Sequence, residues 1–201
     1  MRRKSAMTQL GNGLFEGNQH ADALTVQEAE LAMLRRLGDS DSCDILIVQT
    51  NLSNTYSQTK RLEQAVQMDR DIYHGRLKLN GVEHKRTIIA ASNYASSLVD
   101  LQRFEEAKSL LRKMMPVARR VCGEYYDTTL KMKWNYAEML YKDEGATLDD
   151  LHKAVTTLED AAPGARRVLG AAHPLTQSLE DELQVARAAL RAREETPPSS
   201  A

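Results

Sequence analysis

The stretch "RRVLGAAHPLT" at 166–176 decides the fold, because the chain writes it more than once. "RRVCGEYYDTT" stands at 119–129, "LKLNGVEHKRT" at 77–87, and a looser "RRLGDSDSCDI" at 35–45. A single Gly-x-x-His-Pro is only a turn. The same phrase at a regular interval marks the boundary of a repeated structural unit. The interval is set by the triplets "NLS" (51–53), "NYA" (93–95) and "NYA" (135–137), which follow one another at 42 residues. An alanine comes twelve residues after the last member of the first two triplets, as Ala65 and Ala107. After the third triplet Ala154 comes at seventeen, and the five extra residues fall within "KDEGATLDD" (142–150). One step back from Asn51 reaches Gln9 and Ala23, and stepping forward from the His-Pro signal places Glu182 in the same register. The chain thus reads as four helix pairs, at about 5–41, 42–83, 84–125 and 126–172, then a final helix over 173–192. Residues 193–201 read as a disordered tail that could link to a further domain, and the unpaired last helix as part of a longer array or a C-terminal cap.

Each unit has the pattern of two helices packed on one another. Ile88, Ala91, Ala95 and Leu98 lie at helical spacing, "LQR" (101–103) is a short polar connection, and Phe104, Ala107, Leu110, Leu111 and Met114 make a second stripe. The small residue at 23, 65, 107 and 154 lets the two backbones approach. Asp69 stands where Leu111 and Leu158 are apolar, so the second unit is expected to pack less tightly, and "GNG" (11–13) weakens the first helix of the first unit. Gly81, Gly123 and Gly170 share one position and are expected to stop the second helices in a left-handed C′ conformation, with Gly38 one residue early. Pro174 suits the first turn of the next helix and Asp127 suits a cap. Pro116 and Pro163 also share a position, where the second helix is expected to bend, more sharply at "PG" (163–164), the alternative being that it ends there. Thr147 and Asp150 have the spacing of a capping box.

The composition sets the class. In 201 residues, 42% are hydrophobic and 27% charged, with five prolines and ten glycines, which suits a soluble and almost entirely helical chain. A net charge of −1 lacks the excess of Lys and Arg that drives phosphate-backbone binding, so no nucleic acid partner is expected. The opening "MRRKS" is followed by no apolar run and is not read as a signal peptide, and no stretch approaches a membrane span. Cys43 and Cys122 fit reduced, packed thiols of a cytoplasmic protein. The five histidines show no metal-binding spacing, and His84 and His173 occupy one repeat position and read as structural. No phosphate loop or catalytic constellation is present, so neither enzyme activity, nor a metal, nor a cofactor is expected.

Antiparallel helix pairs with this small-residue register resemble the tetratricopeptide repeat. The 42-residue period, "LGAAHPLTQSLEDEL" (169–183) and "NYASSLVDLQRFEEAKSLL" (93–111) look like the longer kinesin-light-chain type. The resemblance covers roughly residues 8–192. It is to the repeats and not to a kinesin light chain as a whole, since no long heptad segment for pairing with a motor chain is present. It implies an all-α, right-handed superhelical solenoid that binds a peptide segment of a partner protein in its concave groove. It also implies the groove positions: Asn51, Asn93 and Asn135, with Ile47, Ile89 and Lys131 one turn earlier and Asn54, Ser96 and Glu138 one turn on.

The asparagines carry an argument of their own. Asn is a poor helix-interior residue, and three at one interval repeat a locally unfavourable choice on one face. Each amide can clamp the backbone of an extended peptide or brace neighbouring helices. Trp134, between Lys131 and Lys133 in "KMKWNY", has either the composition of a binding hot spot or a packing role between repeats. Arg86 and Lys85 add positive charge, opposed by Asp100, Glu138, Asp181 and Glu182; a partly acidic peptide is the weakly favoured ligand. The alternative function is an architectural or self-associating helical module without a peptide groove.

Overall fold

In the computed structural model, which describes residues 2–37 and 43–195, the expected pairs form as α1 (Arg2–Glu16) and α2 (His20–Arg36), α3 (Cys43–Gln58) and α4 (Leu62–Asn80), α5 (Lys85–Asp100) and α6 (Phe104–Cys122), and α7 (Asp127–Lys142) and α8 (Leu148–Leu169). A final helix, α9 (Pro174–Glu195), follows. It runs three residues beyond the expected end at 192, because "REE" offers good helix formers and no stop. Gly38 and positions 196–201 of the expected tail lie outside the described residues.

The chain divides into two compact units, Met1–Gly81 and Val82–Ala201. In the first, α1–α4 enclose a core built on Leu24, Leu31, Leu34, Val48, Leu52 and Tyr56. In the second, α5, α7 and α9 are neighbours in sequence order, and α6 and α8 pack against them. Ala23, Ala65, Ala107 and Ala154 are all fully buried, as a close approach of paired helices requires. Helix α1 continues through "GNG" despite its two glycines. A Cβ at Gly11 would sit 3.1 Å from Cγ of Gln27, so the small residue serves helix packing, which overrides propensity. Asp69 is buried, as are Glu30 and Arg76, which places charged groups inside the first unit. Glu30 accepts a hydrogen bond from the Thr8 hydroxyl at 2.6 Å, and burial pushes its carboxyl above the usual range.

The helix stops differ from expectation in an instructive way. Gly81, Gly123 and Gly170 have φ of 79°, 107° and 92°, but ψ of 171°, 159° and 158°. These are not left-handed helical residues. They lie in an extended region at positive φ that essentially only glycine occupies, and they swing the chain outward into the next joint. The positive-φ stop instead closes the first helix of the first three pairs, at Asn18, Lys60 and Gln102, with φ of 61°, 60° and 59°, whereas α7 of the fourth pair ends at Asp143 with φ of −67°. In the second pair Lys60 N–H donates to the Ser57 carbonyl at 3.1 Å and Arg61 N–H to the Tyr56 carbonyl at 2.9 Å. Gln102 and Arg103 repeat the pattern on Val99 and Leu98, and this pair of bonds is the Schellman motif. Since a side chain there is strained, Lys60→Gly and Gln102→Gly should each raise unfolding free energy by about 0.5–1 kcal/mol in urea melts.

The helix starts are mostly as read. His84 and His173 cap α5 and α9: each imidazole Nδ1 accepts a backbone N–H, from Arg86 at 3.1 Å and Leu175 at 3.2 Å. Thr147 and Asp150 form a reciprocal capping box. Asp127 is not a cap. It is the first residue of α7, where its carboxylate pairs with Lys131, and Tyr126 holds the cap position without a side-chain bond. Helices α6 and α8 continue through Pro116 and Pro163, so neither ends there.

Helix α9 differs from α5 and α7 in one strip. Where those carry Ile88, Ala91, Ala95 and Leu98, or Leu130, Lys133, Ala137 and Leu140, α9 carries Gln177, Glu180, Gln184 and Arg187. Glu180 is clasped by Arg166 of α8 at 2.7 and 3.0 Å, and Arg187 reaches Glu159 of α8 at 2.7 Å.

Candidate binding face

Helix α5 is buried along most of its circumference and opens to solvent along Arg86, Ile89, Asn93 and Ser96, which lie three or four residues apart. Ile89 is 40% exposed, a cost in an otherwise buried helix. Asn93 is half-buried, and its amide makes no hydrogen bond to any described residue. Arg86 is exposed in the first turn, and Ser96 is half-buried.

The matching strip of α7 is Lys131, Asn135 and Glu138. Lys131 is exposed and pairs with Asp127 at 2.9 Å. Glu138 is half-buried and pairs with Lys142. Asn135 is only 7% exposed, and its Nδ2 donates to the Ser92 carbonyl of α5 at 3.4 Å, so its amide braces two first helices. Trp134 is half-buried, and its indole Nε1 is enclosed without a hydrogen-bond acceptor. From α9, Glu182 accepts the Tyr141 hydroxyl, and burial together with this carboxylate raises the hydroxyl far above its ordinary pKa.

In the first unit, on α3, Asn54 is exposed, Ile47 is 41% exposed and Asn51 is half-buried. The Asn51 amide donates to the Asn12 side chain of α1 at 2.9 Å. The three asparagines share a register but not an environment: one is paired across helices to another amide, one is unpaired, and one is a brace.

Sequence reasoning grouped Lys133 with Trp134. One residue along a helix is a rotation of about 100°, and Lys133 points the other way, with no exposed side-chain surface. Its ammonium pairs with Glu124 and with Asp160 at 2.6 Å, and lies 5.0 Å from the centre of the Tyr125 ring. The Tyr125 hydroxyl donates to Asp160 at 3.2 Å, and the Arg167 guanidinium lies 5.1 Å from the same ring. The Lys133 hydrogen bond holds the Asp160 carboxyl below its usual range. Tyr125 rests against Gly164, where a Cβ would stand 2.1 Å from its Cε1. The signal for this cluster was the register: Lys133 follows Ala91 by one repeat, in the column that faces the second helix.

The model of the tetratricopeptide repeat family matches residues 46–84 and 87–127. Those two segments read as tetratricopeptide repeats. The fold of the chain is that of solved repeat proteins. A Podosopora anserina kinesin light chain-like protein with nearly identical TPR-like repeats superposes with a TM-score of 0.77 at 19% identity, over 96% of this chain and 89% of that one. A second structure from the same organism gives 0.75 at 19% identity, with the same coverage. BtubC (BKLC) from P. vanneervenii gives 0.61 at 15% identity, covering 97% and 82%. No curated protein sequence matches the chain. Among the described residues no helix is long and apolar enough to cross a membrane. Tetratricopeptide repeats are in general protein-interaction modules and typically non-catalytic.

Proposed function

We propose that the strip on α5 and α7 is a groove for an extended peptide segment of a partner protein. The unpaired Asn93 amide carries the reading. An amide held half-buried on a helix, with donor and acceptor unpaired among the described residues, suits the backbone of an extended chain. Ile89 offers an apolar contact beside it. Trp134 contributes the exposed part of a large ring, while its indole N–H is enclosed. Lys131 and Arg86 supply positive charge at the N-terminal edge, which favours a segment with an acidic residue there. Asn135 acts here by bracing α7 against α5, not by direct contact.

The Asn135 brace and the Tyr141–Glu182 bond also favour a second reading, an architectural module whose first helices are tied to one another. A peptide-display selection on the full chain separates the two. The expected result is an enriched sequence class that Asn93→Ala loses at least tenfold, the loss of about 1.4 kcal/mol from two amide bonds, while thermal unfolding stays unchanged. Enrichment indifferent to Asn93→Ala and to Lys131→Glu would assign the face to architecture.

A further inference from the structure

Helix α1 turns one side toward the rest of the first unit. Thr8 bonds Glu30, Gly11 lies against Gln27, Asn12 accepts from Asn51, and Phe15 meets the His20 ring. At about 100° per residue these four positions share one face. The opposite side carries Ala6, Met7, Leu10, Gly13 and Leu14 within about 120°. Ala6 and Gly13 are exposed, Leu10 is 55% exposed, and Met7 and Leu14 are half-buried. One repeat on, Leu52 and Tyr56 stand at the positions of Leu10 and Leu14, and there they enter the core with Leu24 and Leu31 of α2. The face left open on α1 is therefore one that receives a helix elsewhere in the chain.

Gly13 is not explained by packing within the chain. Unlike Gly11, it has nothing beyond its own helix within 4 Å of where a Cβ would stand. A glycine inside a helix weakens it, and what it offers in return is room for a second backbone to come close. The pattern around it is self-complementary. In an antiparallel second α1, with a two-fold axis at Leu10, Met7 faces Gly13 of the second copy and Leu14 faces its Ala6. Large thus meets small on both sides of the axis. The charges match in the same arrangement. The first turn holds Arg2, Arg3 and Lys4 and no acid, and α1 ends on Glu16. Antiparallel packing brings each basic end to the C-terminal carbonyls of the other helix, with position 4 level with Glu16.

We propose that the open face of α1 docks a second copy of this chain, in a symmetric antiparallel dimer centred on Leu10. The contact is one helix against one helix, below the area of a standard interface, so the dimer is weak, with Kd on the order of 100 µM. It uses none of the residues of the strip on α5 and α7.

Sedimentation equilibrium of the full 22.5 kDa chain tests this, with circular dichroism following the fold. The expected result is a reversible monomer–dimer equilibrium. Gly13→Met enters open space on the monomer and should keep or raise its melting temperature. It should nonetheless weaken the dimer at least about tenfold, because it fills the seat of Met7. Leu10→Glu sets two carboxylates on the axis and should weaken the dimer by a similar factor. The exchange Met7→Gly/Gly13→Met reverses large and small, and should return association to within about threefold of the wild type. Asn93→Ala should leave it unchanged. A chain that stays monomeric up to about 1 mM would overturn the proposal and assign the face to a different partner. A dimer indifferent to Gly13→Met and Leu10→Glu would place association elsewhere and equally overturn it. An exchange variant as monomeric as Gly13→Met alone would overturn the two-fold at Leu10.

Discussion

Glu124→Gln/Asp160→Asn should lose about 3 kcal/mol of stability, whereas Lys133→Met should lose under about 1 kcal/mol. The asymmetry follows from burial. The Lys133 side chain has no exposed surface, while Glu124 and Asp160 keep 40% and 51% of theirs. Neutralising the carboxylates strands a cation in the interior, with only amide oxygens and the Tyr125 ring to face it. Removing the cation leaves two carboxylates that water already reaches, and Met fills the lysine's volume. The value is set at the low end for a broken buried pair because water also approaches the ammonium along its half-exposed partners. Urea unfolding at neutral pH checks both arms. Equal losses would mean that the ion pairs themselves, and not the stranded cation, set the cost.

The same cluster fixes a pH response. The Asp160 carboxyl is depressed below its ordinary 3.8, chiefly by the Lys133 hydrogen bond. A depressed acid adds stability that is fully present above its unfolded value and is lost as pH falls through the folded one. Stability should therefore drop below about pH 4 in the wild type, and Asp160→Asn should flatten that part of the profile.

Gly164→Val should cost about 3 kcal/mol, since even a single Cβ there would overlap the Tyr125 ring at 2.1 and 2.2 Å. The ring must leave its seat, and with it go the Asp160 hydrogen bond and the contact with Lys133. A double-mutant cycle isolates the clash. If Tyr125→Ala is introduced first, Gly164→Val should cost at least about 1.5 kcal/mol less, a coupling expected only of residues in contact. Additive losses would place the penalty in the backbone of α8 instead.

Much of this architecture was legible from spacing. The period came from Asn51, Asn93 and Asn135, and the buried alanines at 23, 65, 107 and 154 from counting along it. Two kinds of feature were not. Left-handed stops at Lys60 and Gln102 are invisible to a search for glycine, because helix packing imposes a conformation that local propensity disfavours. At Gly81, Gly123 and Gly170 the residue was right and the conformation wrong, since sequence reports that φ is positive but not where ψ falls. The environments of the asparagines were equally hidden. A register assigns a face, and whether the side chain there meets Asn12, Ser92 or no partner depends on a neighbouring helix that the register does not describe.

The polar strip of α9 also bears on engineering. Adding a further helix pair beyond α9 by grafting would bury Gln177, Glu180, Gln184 and Arg187 against an incoming apolar helix. It would also break the Arg166 and Glu159 clasps. A longer designed array would therefore need those four side chains rewritten as the Leu and Ala pattern of α5. An insertion between existing pairs, at Gly123, would inherit compatible surfaces on both sides.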